Sequence, residues 1–129
     1  MKFHHIGVAC ENIIDSKTFI SSAFQVKKFG DIIFDKNQGV HLCMVSTICN
    51  TLIELISGET VSSFVKKRQY VYHTCWEVDD IMISVKNFEC QGAVLISKPT
   101  PAILFNYRKV AFLMTNIGII ELLESNRIS

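Results

Sequence analysis

Val71-Tyr72-His73-Thr74-Cys75-Trp76-Glu77-Val78-Asp79-Asp80-Ile81 is the stretch that decides how this chain is read. Its β-branched and aromatic residues through Val78 read as a strand, and Asp79 and Asp80 are N-cap candidates. Ile81, Val85 and Phe88 then recur at helical spacing ahead of Gly92, a natural helix terminator. The same order stands near the start, in Phe3-His4-His5-Ile6-Gly7-Val8-Ala9-Cys10-Glu11-Asn12-Ile13, where Asn12 is the cap and Ile13, Ile20 and Phe24 share a helix face. Three strand-like runs follow each helix, residues 28–34, 40–45 and 52–56 in the first copy and 93–96, 109–114 and 119–123 in the second. The chain is β-α-β-β-β written twice.

The repeat predicts an α+β fold with boundaries at 1–57 for the first module and 70–125 for the second. Residues 59–68 read as a short connecting helix within 58–69, with Val61, Phe64 and Val65 as its apolar contacts. One such unit cannot bury both faces of its sheet alone, so the two modules are expected to form a curled mixed sheet, a half-barrel around a shared cavity with the helices outside. The 129 residues, 49% hydrophobic and 19% charged, are enough for one domain with a packed core. A net charge of +1 leaves no electrostatic footprint for nucleic acid, and apolar runs of about five residues, such as Val110-Ala111-Phe112-Leu113-Met114, exclude a spanning helix and a signal-peptide core. Five cysteines without a C-x-x-C pair read as reduced thiols of a cytoplasmic protein, with Cys75 a buried core thiol.

Two carboxylates stand where strand alternation does not expect them. Glu54 shares a face with Leu52 and Ile56, and Glu121 with Ile119 and Leu123. An unpaired buried carboxylate costs several kcal/mol or about that order, so each must meet a cation, hold a proton or face a wet cavity. Alone, such a Glu reads as a rim residue and a strand His as a satisfied core or surface one. Here His5 and His73 fall in the first strand of each copy and Glu54 and Glu121 in the last, four repeat-equivalent positions. Two imidazoles and two carboxylates make a ligand set for a divalent metal ion (Zn, Ni, Co or Mn), with two octahedral positions left for water or a bidentate substrate. His4 and His41 read as rim or surface histidines.

Further motifs give a family likeness over essentially the whole chain. His5-Ile6-Gly7-Val8-Ala9, Gln38-Gly39-Val40, Ile53-Glu54-Leu55, Ser63-Phe64-Val65-Lys66-Lys67-Arg68, the stretch from His73 to Ile81, Val110-Ala111-Phe112-Leu113 and Gly118-Ile119-Ile120-Glu121-Leu122 follow in order. With them the chain resembles the vicinal oxygen chelate superfamily, which includes glyoxalase I, methylmalonyl-CoA epimerase, extradiol dioxygenases, and fosfomycin and bleomycin resistance proteins. The likeness is strongest to the epimerase type. It implies that His5, Glu54, His73 and Glu121 are the metal ligands, and Glu54 makes the set look like that of the isomerase and lyase branch. It also implies a homodimer acting on a small-molecule substrate.

The chain departs from the epimerase pattern at Asn106-Tyr107-Arg108, where a Gly-Gly loop is usual, at Met114-Thr115-Asn116, where a His-Pro pair is usual, and at Leu42, where some members carry another carboxylate. Arg108 and Tyr107, with Lys109, are candidates for holding an anionic group, and Trp76 and Phe105 for lining the pocket. The implied chemistry is abstraction of a proton next to a carbonyl, in an acyl thioester or a hemithioacetal-like compound, with Glu121 as first candidate base and Glu54 as its partner. The competing reading is a non-catalytic, antibiotic-type small-molecule binding cup of the same fold.

Overall fold

The computed structural model describes residues 1–125. The chain divides into two compact units, one of residues 5–72 and one of residues 73 onward together with residues 1–4.

In the first unit, β1 (Lys2–Ala9, of which His5 onward belongs here) is followed by α1 (Ile13–Ala23), β2 (Val26–Phe29), β3 (Ile33–Asp35), β4 (Val40–Thr47) and β5 (Leu52–Ser57). Its sheet runs β2-β4-β5-β1, with β3 on β4. β5 is parallel to β1 and antiparallel to β4, so Glu54 lies between Gly7 and Met44. The Asp15 N–H donates to the Asn12 side-chain oxygen at 3.0 Å, a cap that contributes about 1 kcal/mol. Ile13 and Ile20 are buried with Cys10, Cys43, Val45 and Leu55, which seats α1 on one face of the sheet. Phe24 does not join them: it is the C-cap residue, in extended backbone, and half exposed. The expected strand over 28–34 is split: Phe29 pairs with Val45 and Ile33 with Leu42, a one-residue shift of register on β4 that is taken up between them. A 3₁₀ turn (Glu59–Val61) and the short helix α2 (Ser62–Lys66) then lead out of the unit, with Val61 buried.

The second unit repeats the plan with β6 (Val71–Val78, from His73 on), α3 (Ile81–Cys90), β7 (Val94–Pro101), β8 (Lys109–Thr115) and β9 (Gly118–Glu124), in sheet order β6-β9-β8-β7. Asp80 is the N-cap, accepting from the Ile83 N–H at 3.1 Å. Ile81 and Val85 are buried with Val78, Ala111, Leu113, Ile120 and Leu122, and Phe88 packs against that cluster. Each unit therefore covers one sheet face with its helix, and strand alternation turns Glu54 and Glu121 to the opposite face. β7 (Val94–Pro101) runs five residues past the expected end at Ile96, through Pro99 and Pro101. It is the outermost strand of its order, paired only with β8 through two irregular register steps, and there a residue without an N–H is tolerated.

Candidate metal centre

In the first unit, Nε2 of His5 lies 3.4 Å from Oε1 of Glu54, with the side chains 0% and 4% exposed. In the second unit, Nε2 of His73 lies 3.0 Å from Oε1 of Glu121, at 1% and 2% exposure. The parallel pairings explain both. β1 sets Gly7 beside Glu54 and β6 sets Cys75 beside Glu121, and the histidine two residues earlier on the same face reaches the carboxylate. The antiparallel neighbours are Met44 beside Glu54 and Phe112 beside Glu121, and the Phe112 ring meets the His73 ring edge-on with centroids 5.4 Å apart.

The donor set fits a metal. Divalent metals take His nitrogen and carboxylate oxygen at about 2.0–2.2 Å, so two ligands at right angles stand about 3 Å apart and two at a tetrahedral angle about 3.4 Å. The two Nε2–Oε1 separations, 3.0 and 3.4 Å, fall at those values. The side chains are also imidazole nitrogen and hard carboxylate oxygen donors without a thiolate, a set suited to a divalent ion.

The other candidate residues lie elsewhere. Trp76 follows Cys75 and so faces the helix side, opposite His73 and Glu121. Its indole N–H donates to the Thr74 hydroxyl at 3.0 Å, and it lines a cavity of about 420 Å³ with Phe88, Ala93, Ile117 and Ile120. Phe105 is buried, with its ring 5.5 Å from that of His4. Arg108 is already engaged: its guanidinium donates to Oε2 of Glu77 at 2.7 Å, to the Glu124 carbonyl at 3.3 Å and to the Phe105 carbonyl at 3.4 Å. The guanidinium is thus used within its own unit, holding the loop to β6 and β9, and Tyr107 beside it is 67% exposed.

Asn106 and Tyr107 have φ of 54° and 65°, two successive left-handed residues. A Gly-Gly pair enters that conformation without strain. The departure noted in the sequence is therefore a substitution of side chains onto glycine-type backbone. What the sequence reading missed is the Glu77–Arg108 pair. The only signal for it was the position of Glu77, on the same strand face as His73 and Cys75.

None of the five cysteines forms a disulfide. Burial pushes Cys10 and Cys43 up. Cys49, exposed in the β4–β5 turn, is lowered to about 7 by the hydroxyls of Thr47 and Thr51, whose oxygens are 3.2 and 3.4 Å from its sulfur.

A duplicated β-α-β-β-β chain with a buried His–Glu pair in each half defines a class of protein, and comparison with known families gives it a name. Residues 4–112 match the Glyoxalase/Bleomycin resistance protein/Dioxygenase superfamily, and the chain belongs to that superfamily. Among solved structures, it is similar to methylmalonyl-CoA epimerase from Mycobacterium tuberculosis at a TM-score of 0.79 and 14% identity, covering 98% of this chain and 89% of that one. A hypothetical protein from Bacillus halodurans C-125 superposes at 0.75 and 22% identity, with 99% and 96% covered. A mutant of 4-hydroxymandelate synthase from Streptomyces coelicolor superposes at 0.68 and 15%, with 98% of this chain and 49% of that one. These likenesses concern the fold. No curated protein matches the chain. No helix among the described residues is long and apolar enough to cross a membrane.

Proposed function

We propose that this protein is a metal-dependent isomerase, epimerase or lyase that removes a proton next to a carbonyl of a small acyl-thioester or hemithioacetal-like substrate. The observation that carries the reading is the pair of equivalent, buried His–Glu contacts, at 3.0 and 3.4 Å, on repeated strands. In this reading His5, Glu54, His73 and Glu121 together hold one divalent ion. Such an ion, when bound, polarises the substrate carbonyl and stabilises the charge that develops on its oxygen.

The rest of the work falls to the chain. Glu121 takes the proton from the carbon next to the carbonyl, its Oε1 3.0 Å from Nε2 of His73, whose ring meets that of Phe112 edge-on. Glu54, its counterpart from the other half, returns a proton to the opposite face in an epimerisation, or to the neighbouring carbon in an isomerisation. Burial of both carboxylates keeps bulk water from competing for the carbanion. In this reading the protein works in the cytoplasm, as its reduced cysteines suggest, and as a homodimer, as the resemblance implies.

The test has two parts. Protein purified without added metal or chelator is expected to hold about one equivalent of a divalent transition metal per chain, lost in the His5→Ala/His73→Ala variant. Glu121→Gln is expected to retain metal and lose solvent-deuterium exchange at the substrate carbon. A protein without metal that takes none up on titration would sink the enzyme reading in favour of a binding cup, and unchanged deuterium exchange in Glu121→Gln would remove that residue from the mechanism.

A further inference from the structure

The sheet face of the second unit that carries His73 and Glu121 can be followed outward row by row from the strand pairings. Thr74 pairs with Ile120, so the residues one step back, His73 and Ile119, lie side by side. Ile119 pairs with Met114, and Met114 with Val94. One row thus crosses the sheet as His73, Ile119, Met114 and Val94, about 14 Å across at the usual strand spacing. The next row is Cys75, Glu121, Phe112 and Ser97, and the one after is Glu77, Leu123, Val110 and Thr100.

The first row is apolar from the histidine outward, yet it is not core. Met114 is 45% and Val94 65% exposed, while Phe112 in the next row is buried. Side chains of this kind on the helix face of the same strands, Leu95 and Leu113, pack into the hydrophobic cluster. The apolar strip therefore begins at the proposed metal ligand and runs out along the open face.

Charge gives the second half of the argument. The ionisable carboxyls in these three rows are Glu121 and Glu77, and Arg108, whose guanidinium reaches this face, is held by Glu77 and two backbone carbonyls. An anionic substituent laid on this face would meet the Glu121 carboxylate and find the Arg108 guanidinium already engaged by Glu77. A neutral alkyl or aryl group would meet matching surface.

We infer that the Ile119–Met114–Val94 row is the subsite for an apolar substituent, so that the substrate is a carbonyl compound bearing a neutral alkyl or aryl group beside the reacting carbon. The inference rests on the metal-dependent function proposed above and deepens it by naming the substrate class.

A series of straight-chain hydroxamates, which chelate metal through two oxygens, tests it without turnover. Metal-loaded protein is titrated by calorimetry with acetohydroxamate, butyrohydroxamate, hexanohydroxamate and octanohydroxamate. Affinity is expected to rise about two- to fourfold per added methylene, the transfer value for a partly to fully covered group. Val94→Asp and Met114→Asp, at exposed positions, are expected to reduce the octanohydroxamate-to-acetohydroxamate affinity ratio at least tenfold.

Binding that stays flat with chain length overturns the subsite and leaves the metal centre standing. No binding of any member overturns the metal reading, and the subsite with it. Variants that break a dimer and leave the chain-length dependence unchanged give the row to a second copy of the chain, which also overturns the inference.

Discussion

Gly58 closes β5 four residues after Glu54, and replacing it with alanine tests how that strand is kept in place. Its backbone has φ 141° and ψ 177°, a region that only glycine occupies freely. A Cβ built there would stand 2.8 Å from the Gly39 carbonyl oxygen, 3.2 Å from Cα of Val40 and 3.3 Å from its Cγ1. Two of these contacts are with backbone, so they cannot be relieved by a side-chain rotation. The conformation alone costs about 1–3 kcal/mol. Moving the turn before β4 far enough for ordinary contact adds about 1–2 kcal/mol, for a total of roughly 2–5 kcal/mol. Gly92→Ala is the control, because Gly92 also has a positive φ, 97°, but nothing within 4 Å of its Cβ position. Equilibrium urea unfolding of both variants separates strain from collision. At an m-value of about 2 kcal/mol/M the Gly58→Ala midpoint is expected roughly 1–2.5 M below that of the parent, and the Gly92→Ala shift smaller than it by about 0.5–1 M. Equal losses in the two variants, or a Gly58→Ala loss under about 1 kcal/mol, would refute the close-approach argument.

Four other outcomes follow from the structure. Saturating a chelator-treated sample with metal at about a hundred times its dissociation constant should add about 2.7 kcal/mol, a rise in Tm of roughly 8–14 °C that is missing in His5→Ala/His73→Ala; a scan without that difference would count against the four-residue ligand set. Alkylation of Cys49 by iodoacetamide should climb as pH rises through about 7 and then level off, because the thiolate is the reactive form. At pH 7 half of it is ionised against about 1% for a thiol at 9.0, which after allowance for the weaker nucleophilicity of a low-pKa thiolate leaves a net advantage of roughly fivefold, read by peptide mass spectrometry. Tyr107→Gly should stabilise the protein by about 0.5–1 kcal/mol in thermal unfolding, since relief of the left-handed strain outweighs the added chain entropy; destabilisation would mean that the exposed ring makes contacts of consequence. Arg108→Met should cost about 1–2 kcal/mol by the same assay, because it removes a largely buried charged hydrogen bond to Glu77 and two carbonyl contacts.

Most of the fold could be read because several local signals agreed. Asn12 and Asp80 are both caps in fact, Ile13, Ile20, Ile81 and Val85 point into the cores, and Glu54 and Glu121 oppose those helices through a period of two. The His–Glu contacts were legible for the same reason, since a parallel first and last strand brings residues of equal face together. What escaped the reading depends on tertiary position. The 28–34 run looks continuous until its register on β4 shifts by one residue between Phe29 and Ile33, and two prolines look like a loop until β7 is seen to lie at the end of its order. Arg108 reads as a free cation from its neighbours in sequence. Its partner Glu77 lies 31 residues away, and no local pattern links the two.

The prolines on β7 also shape how these molecules meet one another at high concentration. An outer strand normally offers a ladder of N–H and C=O groups to any passing chain, a starting point for sheet-to-sheet growth. Pro99 and Pro101 remove two donors from that ladder, and the shifted register before them bends the rest out of line. A second strand zipping along β7 would lose its hydrogen bonds halfway. The C-terminal half of this rim is thus a poor template for aggregation, and only the stretch around Val94 and Ile96 keeps an unbroken backbone to offer.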